Sequence, residues 1–352
     1  MKARILFFSD PRSIHTARWI NHFTDRYTVS LYTHMTPSEE DRKRIDPDIQ
    51  IYHIRKPLRL LDLIKNPPDI IHGHYIAHYG ILAAVYHKIT GRGKLILTAW
   101  GTDILKGRKG CRKWLTRWAI KQADLITCDA RHMIKALTET GADLEKIKII
   151  NFGTDTATYR PRPRDKSPTD TTTTTIISTR LHKPIYDIPT LIKAAALVLK
   201  THRATFIIAA AGPTREKNME LAEKLGLREN VQFPGNIPAE EMPERLAKAD
   251  IYVNTSLSDA GLAASTAEAM ATELPVITTD IGDNPKWIEH GKTGYLYSPS
   301  NPQDLAKKIN KLIEHPCQRI RLGKLSRKVI THRNSHRKEM KKMEAEYGKP
   351  KR

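Results

Sequence analysis

The chain has 352 residues, 39% of them apolar and 28% charged, and its 59 Lys and Arg against 38 Asp and Glu leave a net charge of +21. That length exceeds one hydrophobic core, so two domains are expected, and the ordinary apolar content excludes a disordered chain. Cys111, Cys128 and Cys317 form no CxxC pair and cannot all be bridged, which excludes a disulfide scaffold and argues against a zinc site.

From the N-terminus, short β-branched runs alternate with helical patterns. RILFFS, YTVSLYT, IQIYHI, DIIHGH, LILTAW, DLITC and KIII come first; TIIST, TFIIAAA, VQF, DIYVNT and PVITT follow. The alternation predicts an α/β fold of parallel sheets with crossover helices. Between the two sets, RPRPRDKSPTDTTTTT has the prolines, charges and threonines of a linker. The expected organisation is a Rossmann-like domain over 1–160, a linker over 161–174, a second such domain over 175–330, and a basic helix and tail over 331–352 that returns to the first domain. The opening MKARILFFSD is too short an apolar run for a signal peptide, and no stretch approaches roughly 18 apolar residues. A cytosolic address is expected.

In such sheets, ligands bind beyond the carboxyl ends of the strands. In the first half those positions hold Asp10, Ser13 and His15, then His72 and His74, then Asp103. The bland alternative is that a histidine packs against its sheet and Asp103 caps a helix. In the second half they hold Arg180, Gly212, Gly235 and the segment SDAGLAASTAEAMA. Small residues there let a ligand approach the start of a helix whose exposed amides favour a diphosphate. Glu268 follows a turn later, where its carboxylate can accept hydrogen bonds from a ribose. It also completes a capping-box pattern with Ser265, and both readings stand.

Charge is segregated: residues 1–164 carry +13, residues 165–318 carry −2 and residues 319–352 carry +10. A segregated basic surface signals a polyanionic partner. Residues 105–121 hold seven basic side chains and no acidic one, and a helix there aligns Cys111, Trp114, Leu115 and Trp118. One reading is an interfacial helix on an anionic membrane; the other buries both tryptophans and leaves the cations solvated. A nucleic-acid binder is the competing class, but no nucleic-acid motif is present and none is expected to bind.

AEAMATELPVITTDIGDNPKWIEHGKTGYLYSP resembles the donor-binding segment of family 4 glycosyltransferases, retaining enzymes of the GT-B fold. SIHTARW, DIIHGHY, TAWGTDIL, KIKIINFGTDTATYRP, ISTRL, AAAGP and VQFPGNIPAEEMPERLAKADIYVNTS extend the resemblance through most of the chain. It implies two Rossmann-like domains facing a cleft, and transfer of a sugar from a nucleotide sugar, UDP in preference to GDP, to a lipid-linked or cell-surface glycan precursor. A nucleotide-sugar hydrolase or epimerase is the alternative. Glu268 is implied to grip the ribose, the backbone of Gly261, Leu262, Ala263, Ser265 and Thr266 to hold the diphosphate, and the loop Gly235–Ile237 to border the base, with Gly212 nearby. Arg180 would stabilise the leaving phosphate, while Asp103, Ser13, His15 and His74 would orient the acceptor. No metal is expected, because Asp46-Pro47-Asp48, the lone D-x-D, reads as a turn outside the cleft.

The sequence also departs from the family. Ala260 stands at the first family glutamate, so Asp259, one position early, is expected to reach the donor sugar. Ile185 stands at the family lysine, with Lys183 as the nearest substitute. Trp100 replaces a histidine, Asp283 follows Gly282 where a second glycine is usual, and Glu273 replaces a glycine.

Overall fold

The computed structural model describes residues 2–55, 63–105, 110–162, 173–259 and 261–349. Residue 260, residues 106–109 of the basic segment, residues 163–172 of the expected linker and the tail residues 350–352 lie outside the described residues. The contacts divide the chain into one unit of residues 1–152 with 337–352, and a second of residues 153–336. The break precedes the proline-rich stretch because the backbone N–H of Thr154 donates to the Asn334 carbonyl at 2.6 Å and Tyr159 is buried beside Ile177 and Leu246, all within the second unit.

The first unit is a parallel sheet of β1 (Arg4–Phe8), β2 (Thr28–Thr33), β3 (Gln50–His53), β4 (Ile70–His74), β5 (Lys94–Thr98), β6 (Leu125–Cys128) and β7 (Ile147–Ile149). Its strand order is β3-β2-β1-β4-β5-β6-β7. Every residue of β4 and β5 is buried, as a helix-covered parallel sheet requires, although β4 carries two histidines. Ile5, Phe7, Trp19, Phe23, Ile70 and Ile96 build the core on one face, and Met340, Met343 and Tyr347 of the C-terminal helix His336–Tyr347 complete it. The side chain of Lys94 donates to the carbonyls of Glu346 and Lys349, a cation placed where a helix end is negative.

The second unit is a parallel sheet of β8 (Thr174–Ser178), β9 (Ala204–Ile208), β10 (Val231–Gln232), β11 (Ile251–Asn254), β12 (Val276–Thr279) and β13 (Tyr295–Tyr297), in the order β10-β9-β8-β11-β12-β13. The strand β13 is absent from the sequence expectation; three residues of YLY are too few to show a period. In both sheets the order reverses between the first strand and its neighbour, at β1/β4 and at β8/β11. Those switch points open a crevice at the strand ends, which is where each candidate site lies. Among the described residues no helix is long and apolar enough to cross a membrane.

Candidate active site

In the second unit, Arg180 leaves the end of β8 and Asn254 ends β11. The Arg180 guanidinium is largely buried: Nη2 donates to Asp259 Oδ1 at 2.6 Å, Nη1 donates to Ser265 Oγ at 3.3 Å, and the plane lies 4.1 Å from the centroid of the Tyr186 ring. Such a fork, pre-oriented by a carboxylate and an aromatic face, suits a phosphate. Asn254 Nδ2 donates to both Asp259 Oδ2 and Thr266 Oγ1, each at 3.2 Å.

The helix Ala264–Ala271 starts beside this cluster. Its N-cap is Ala263, and no side chain caps it. Ser265 therefore lies inside the helix, its hydroxyl turned to Arg180, so the capping box with Glu268 does not form at Ser265. First-turn amides without a Ser, Thr or Asp cap are left for an anion. Gly261 and Ala263 are buried, Leu262 is half-buried, and Glu268 is half-buried on the second turn.

Gly212, Gly235 and Ile237 form a neighbouring group. Ala210 N–H donates to the Gly235 carbonyl at 2.6 Å and Ala211 N–H donates to Asn236 Oδ1 at 2.9 Å, which ties the loop after β9 to the loop after β10. A Cβ on Gly212 would lie 2.3 Å from the His182 carbonyl oxygen, so only glycine fits. Ile237 is half-buried there, whereas Lys183 and Ile185 are exposed.

The departures have local causes. Glu273, at the family's glycine, keeps the left-handed backbone that glycine would adopt, with φ 63°. Gly282 also has positive φ and faces the Asp259 carbonyl, and Asp283 pairs with Lys286 at 2.6 Å.

In the first unit, a pocket of about 250 Å³ at the β1/β4 switch is lined by Ser9, Asp10, Ser13, Thr16, His74, Tyr75, His78, Tyr79 and Trp100. Ser9 Oγ shares hydrogen bonds with His74 Nδ1 at 3.2 Å and Thr16 Oγ1 at 2.8 Å. His74 Nε2 and Trp100 Nε1 are buried with no hydrogen-bond partner among the described residues, and their rings lie 5.3 Å apart. Burial pushes the His74 imidazole down to about 3 and the His15 imidazole to about 4, with Arg18 adding to the latter, so both are neutral. Asp10 forms an ion pair with Arg12 at 2.8 Å.

His72 instead packs into the core: its ring nitrogens bond Tyr347 Oη at 2.7 Å and Thr98 Oγ1 at 2.6 Å. Asp103 is 1% exposed and accepts from the amides of Ile76 at 2.7 Å and Trp100 at 3.0 Å. Burial raises its carboxyl to about 6 against the pull of those amides. Its geometry holds two pocket loops. One of those loops contains Tyr75 at φ 63° and leads into a π-helical turn, Ile76–Gly80. Asp46 accepts from Thr24 Oγ1 at 3.0 Å and from the Asp48 amide at 2.9 Å, a turn. The described residues hold no group of three or more metal-ligating side chains. Sequence reasoning missed Asn254, Ser9, Tyr75 and Tyr79; a polar residue ending a buried strand was the available signal for Asn254.

Residues 4–130 match the family described as glycosyl transferase 4-like, and residues 160–329 the family described as glycosyl transferases group 1. The chain belongs to the group 1 glycosyltransferases. This glycosyltransferase is 25% identical over 269 residues to the N-acetyl-alpha-D-glucosaminyl L-malate synthase of Bacillus anthracis, covering 74% of the chain and 70% of that protein. It is 26% identical over 134 residues to the GDP-mannose-dependent alpha-(1-6)-phosphatidylinositol monomannoside mannosyltransferase of Mycobacterium tuberculosis, covering 36% of the chain and 35% of that protein. The crystal structure of Anabaena Alr3699/HepE in complex with UDP superposes with a TM-score of 0.82 at 18% identity, covering 98% of this chain and 99% of that one. The two parallel sheets are the GT-B fold.

Proposed function

We propose that this glycosyltransferase takes a nucleotide sugar, with UDP preferred to GDP, and passes its hexosyl group to a hydroxyl of a lipid-linked or cell-surface glycan precursor with retention of configuration. The observation that carries the reading is the Arg180 guanidinium set beside an uncapped helix start. When the bond from the anomeric carbon to the phosphate oxygen breaks, its electron pair stays on that oxygen. Arg180 and the first-turn amides stabilise the growing charge, while Glu268 holds the ribose. The acceptor oxygen bonds the anomeric carbon on the face the phosphate leaves, and its proton passes to the departing phosphate. No step calls for a metal. Asp259 faces the sugar, and the pocket around His74 and Trp100 receives the acceptor, with Ser13 and His15 at its edge and Asp103 holding its loops. Preference for UDP is supported by the UDP-bound fold relative, which has the higher coverage; the mannosyltransferase relative is named for GDP-mannose.

The helix Gly110–Gln122 buries Thr116, Ala119 and Ile120 and leaves Trp114 66% exposed beside Lys113 and Arg117, which supports peripheral attachment to an anionic membrane face. Melting temperatures measured across nucleoside diphosphates and nucleotide sugars test the donor, because a ligand of the folded state raises the midpoint. UDP and a UDP-sugar should stabilise most, and the anomeric proton coupling in the product reports configuration. No shift with any nucleotide, or an inverted product, would end the respective part of the reading. Sedimentation with phosphatidylglycerol vesicles at low salt, lost at high salt and weakened by W114A, tests the membrane part.

A further inference from the structure

We infer that Asn254 is a positioning residue that locks the sugar-facing acid Asp259 to the start of the diphosphate-binding helix; this rests on the donor reading above. The argument begins with the identity of its amide atoms. Asn254 is fully buried at the end of β11, and its Oδ1 accepts from the Ser256 backbone N–H at 3.0 Å and from Ser256 Oγ at 2.6 Å. A backbone N–H only donates, so the oxygen must face Ser256 and the NH₂ must face the other way. Its two hydrogens are then assigned one each, to Asp259 Oδ2 and Thr266 Oγ1. Both amide hydrogens and the carboxamide oxygen are engaged, and an amide flip would set the NH₂ against the Ser256 N–H donor.

Asp259 is thereby held from two sides, by Arg180 on Oδ1 and by Asn254 on Oδ2. Asp259 stands one residue before Ala260, and its shorter side chain carries its acid from a different backbone position than a glutamate at 260 would. The amide of Asn254 adds a second fixation to the one Arg180 provides, and it joins that loop to Thr266 in the first turn of the helix Ala264–Ala271, next to the Ser265 that Arg180 reaches. Neither Asp259 nor Thr266 bonds the other directly in the described contacts; Asn254 is the bridge between them. The consequence is that sugar contact and diphosphate contact respond as one unit.

Transfer kinetics of the full chain, run with the UDP-sugar that the unmodified protein uses best and with melting curves alongside, test this. N254D keeps the acceptor for Ser256 but turns an oxygen toward Asp259, and it should lower kcat about tenfold or more while donor KM moves less than about threefold. A defect confined to folding would instead lower the active fraction and the melting temperature without changing which of two linked residues matters. The decisive measurement is the cycle D259N, T266V and D259N/T266V, run with Asn254 in place and again in an N254A background, where the coupling should vanish although Arg180 still ties Asp259 to Ser265. If Asn254 couples the two, the double variant loses less than the product of the single losses, by about threefold or more. Losses that multiply, or an N254D enzyme with unchanged kcat, overturn the assignment of Asn254. Absence of any nucleoside diphosphate binding by the unmodified protein would instead remove the donor reading beneath it, and the two failures are distinct.

Discussion

The two switch-point crevices of this chain are built from opposite materials. At β8/β11 an ion pair organises the polar groups: Arg180 bonds Asp259 and Ser265, and Asn254 bonds Asp259 and Thr266, with Arg180 Nε unpartnered among the described residues. At β1/β4 they are hydroxyls and neutral imidazoles among aromatic rings, with His74 Nε2 and Trp100 Nε1 unpartnered among the described residues. The same α/β architecture thus presents a wired, ionic surface in one unit and a mostly aromatic one in the other, where Asp10, paired with Arg12, is the charged lining residue. An ionic surface meets a phosphate; an aromatic one meets a sugar ring or another neutral polyol.

The largest expected effect breaks the ionic side. R180A should reduce transfer about 100- to 1,000-fold, since it removes the guanidinium proposed to stabilise the leaving oxygen and leaves Asp259 without its ion-pair partner, whereas R180K should recover only part of this; initial rates of nucleotide release measure both. An R180A enzyme within threefold of the parent would remove Arg180 from the chemistry. Next, W100A should raise KM for the acceptor about tenfold and leave the rate of donor hydrolysis in water nearly unchanged, because it strips the aromatic wall alone. Equal loss of both activities would show that Trp100 merely supports the fold.

A smaller effect concerns acid. His72 and His74 are buried and neutral, with folded values pushed below the usual imidazole range, so the unfolded chain binds protons that the folded one refuses. Stability is therefore full above about pH 6.5 and falls as pH drops below it, by about 2 kcal/mol from His74 alone at pH 5. Asp103, raised to about 6, runs the other way: its folded form gains a proton first, and it offsets part of the loss between about pH 6 and 4. Melting curves from pH 7.5 to 5 should show the midpoint falling, less steeply in H74Q; a flat profile would contradict the burial of neutral imidazoles. Smallest of all, E273G should stabilise the chain by about 0.5–1 kcal/mol in urea unfolding, because glycine carries no Cβ penalty at φ 63°. A destabilised E273G would mean that the Glu273 side chain matters more than its backbone.

Much of this was legible in the residues. Alternating runs pointed to the two parallel sheets and put Arg180 and His74 at strand ends and Glu268 early in a helix, since a buried β-branched run followed by polar residues leaves few other placements. The acidic departure at Asp259 was also visible. What escaped were relationships between distant segments. Ser265 and Glu268 spell a capping box, yet the helix begins one residue before Ser265 because Ala263 takes the cap position and Arg180 claims the serine hydroxyl. Asp103, expected to orient the acceptor, also accepts from the amides of Ile76 and Trp100, a use that depends on a loop nearly thirty residues away. His72 and His74, two apart on one strand, face the same side, and the Tyr347 and Thr98 hydroxyls decide that His72 is structural.

Because the helix His336–Tyr347, with Tyr347 on His72 and Met340 and Met343 in the cluster of Phe7, belongs to the core that the first strand begins, that core cannot close until residues 336–347 have been made. A ribosome releases residues 1–152 long before their missing wall exists, so the later half can finish first while the earlier one waits for the final turn to emerge. Shortening the chain at its end therefore injures its beginning, and no single cut yields two intact halves.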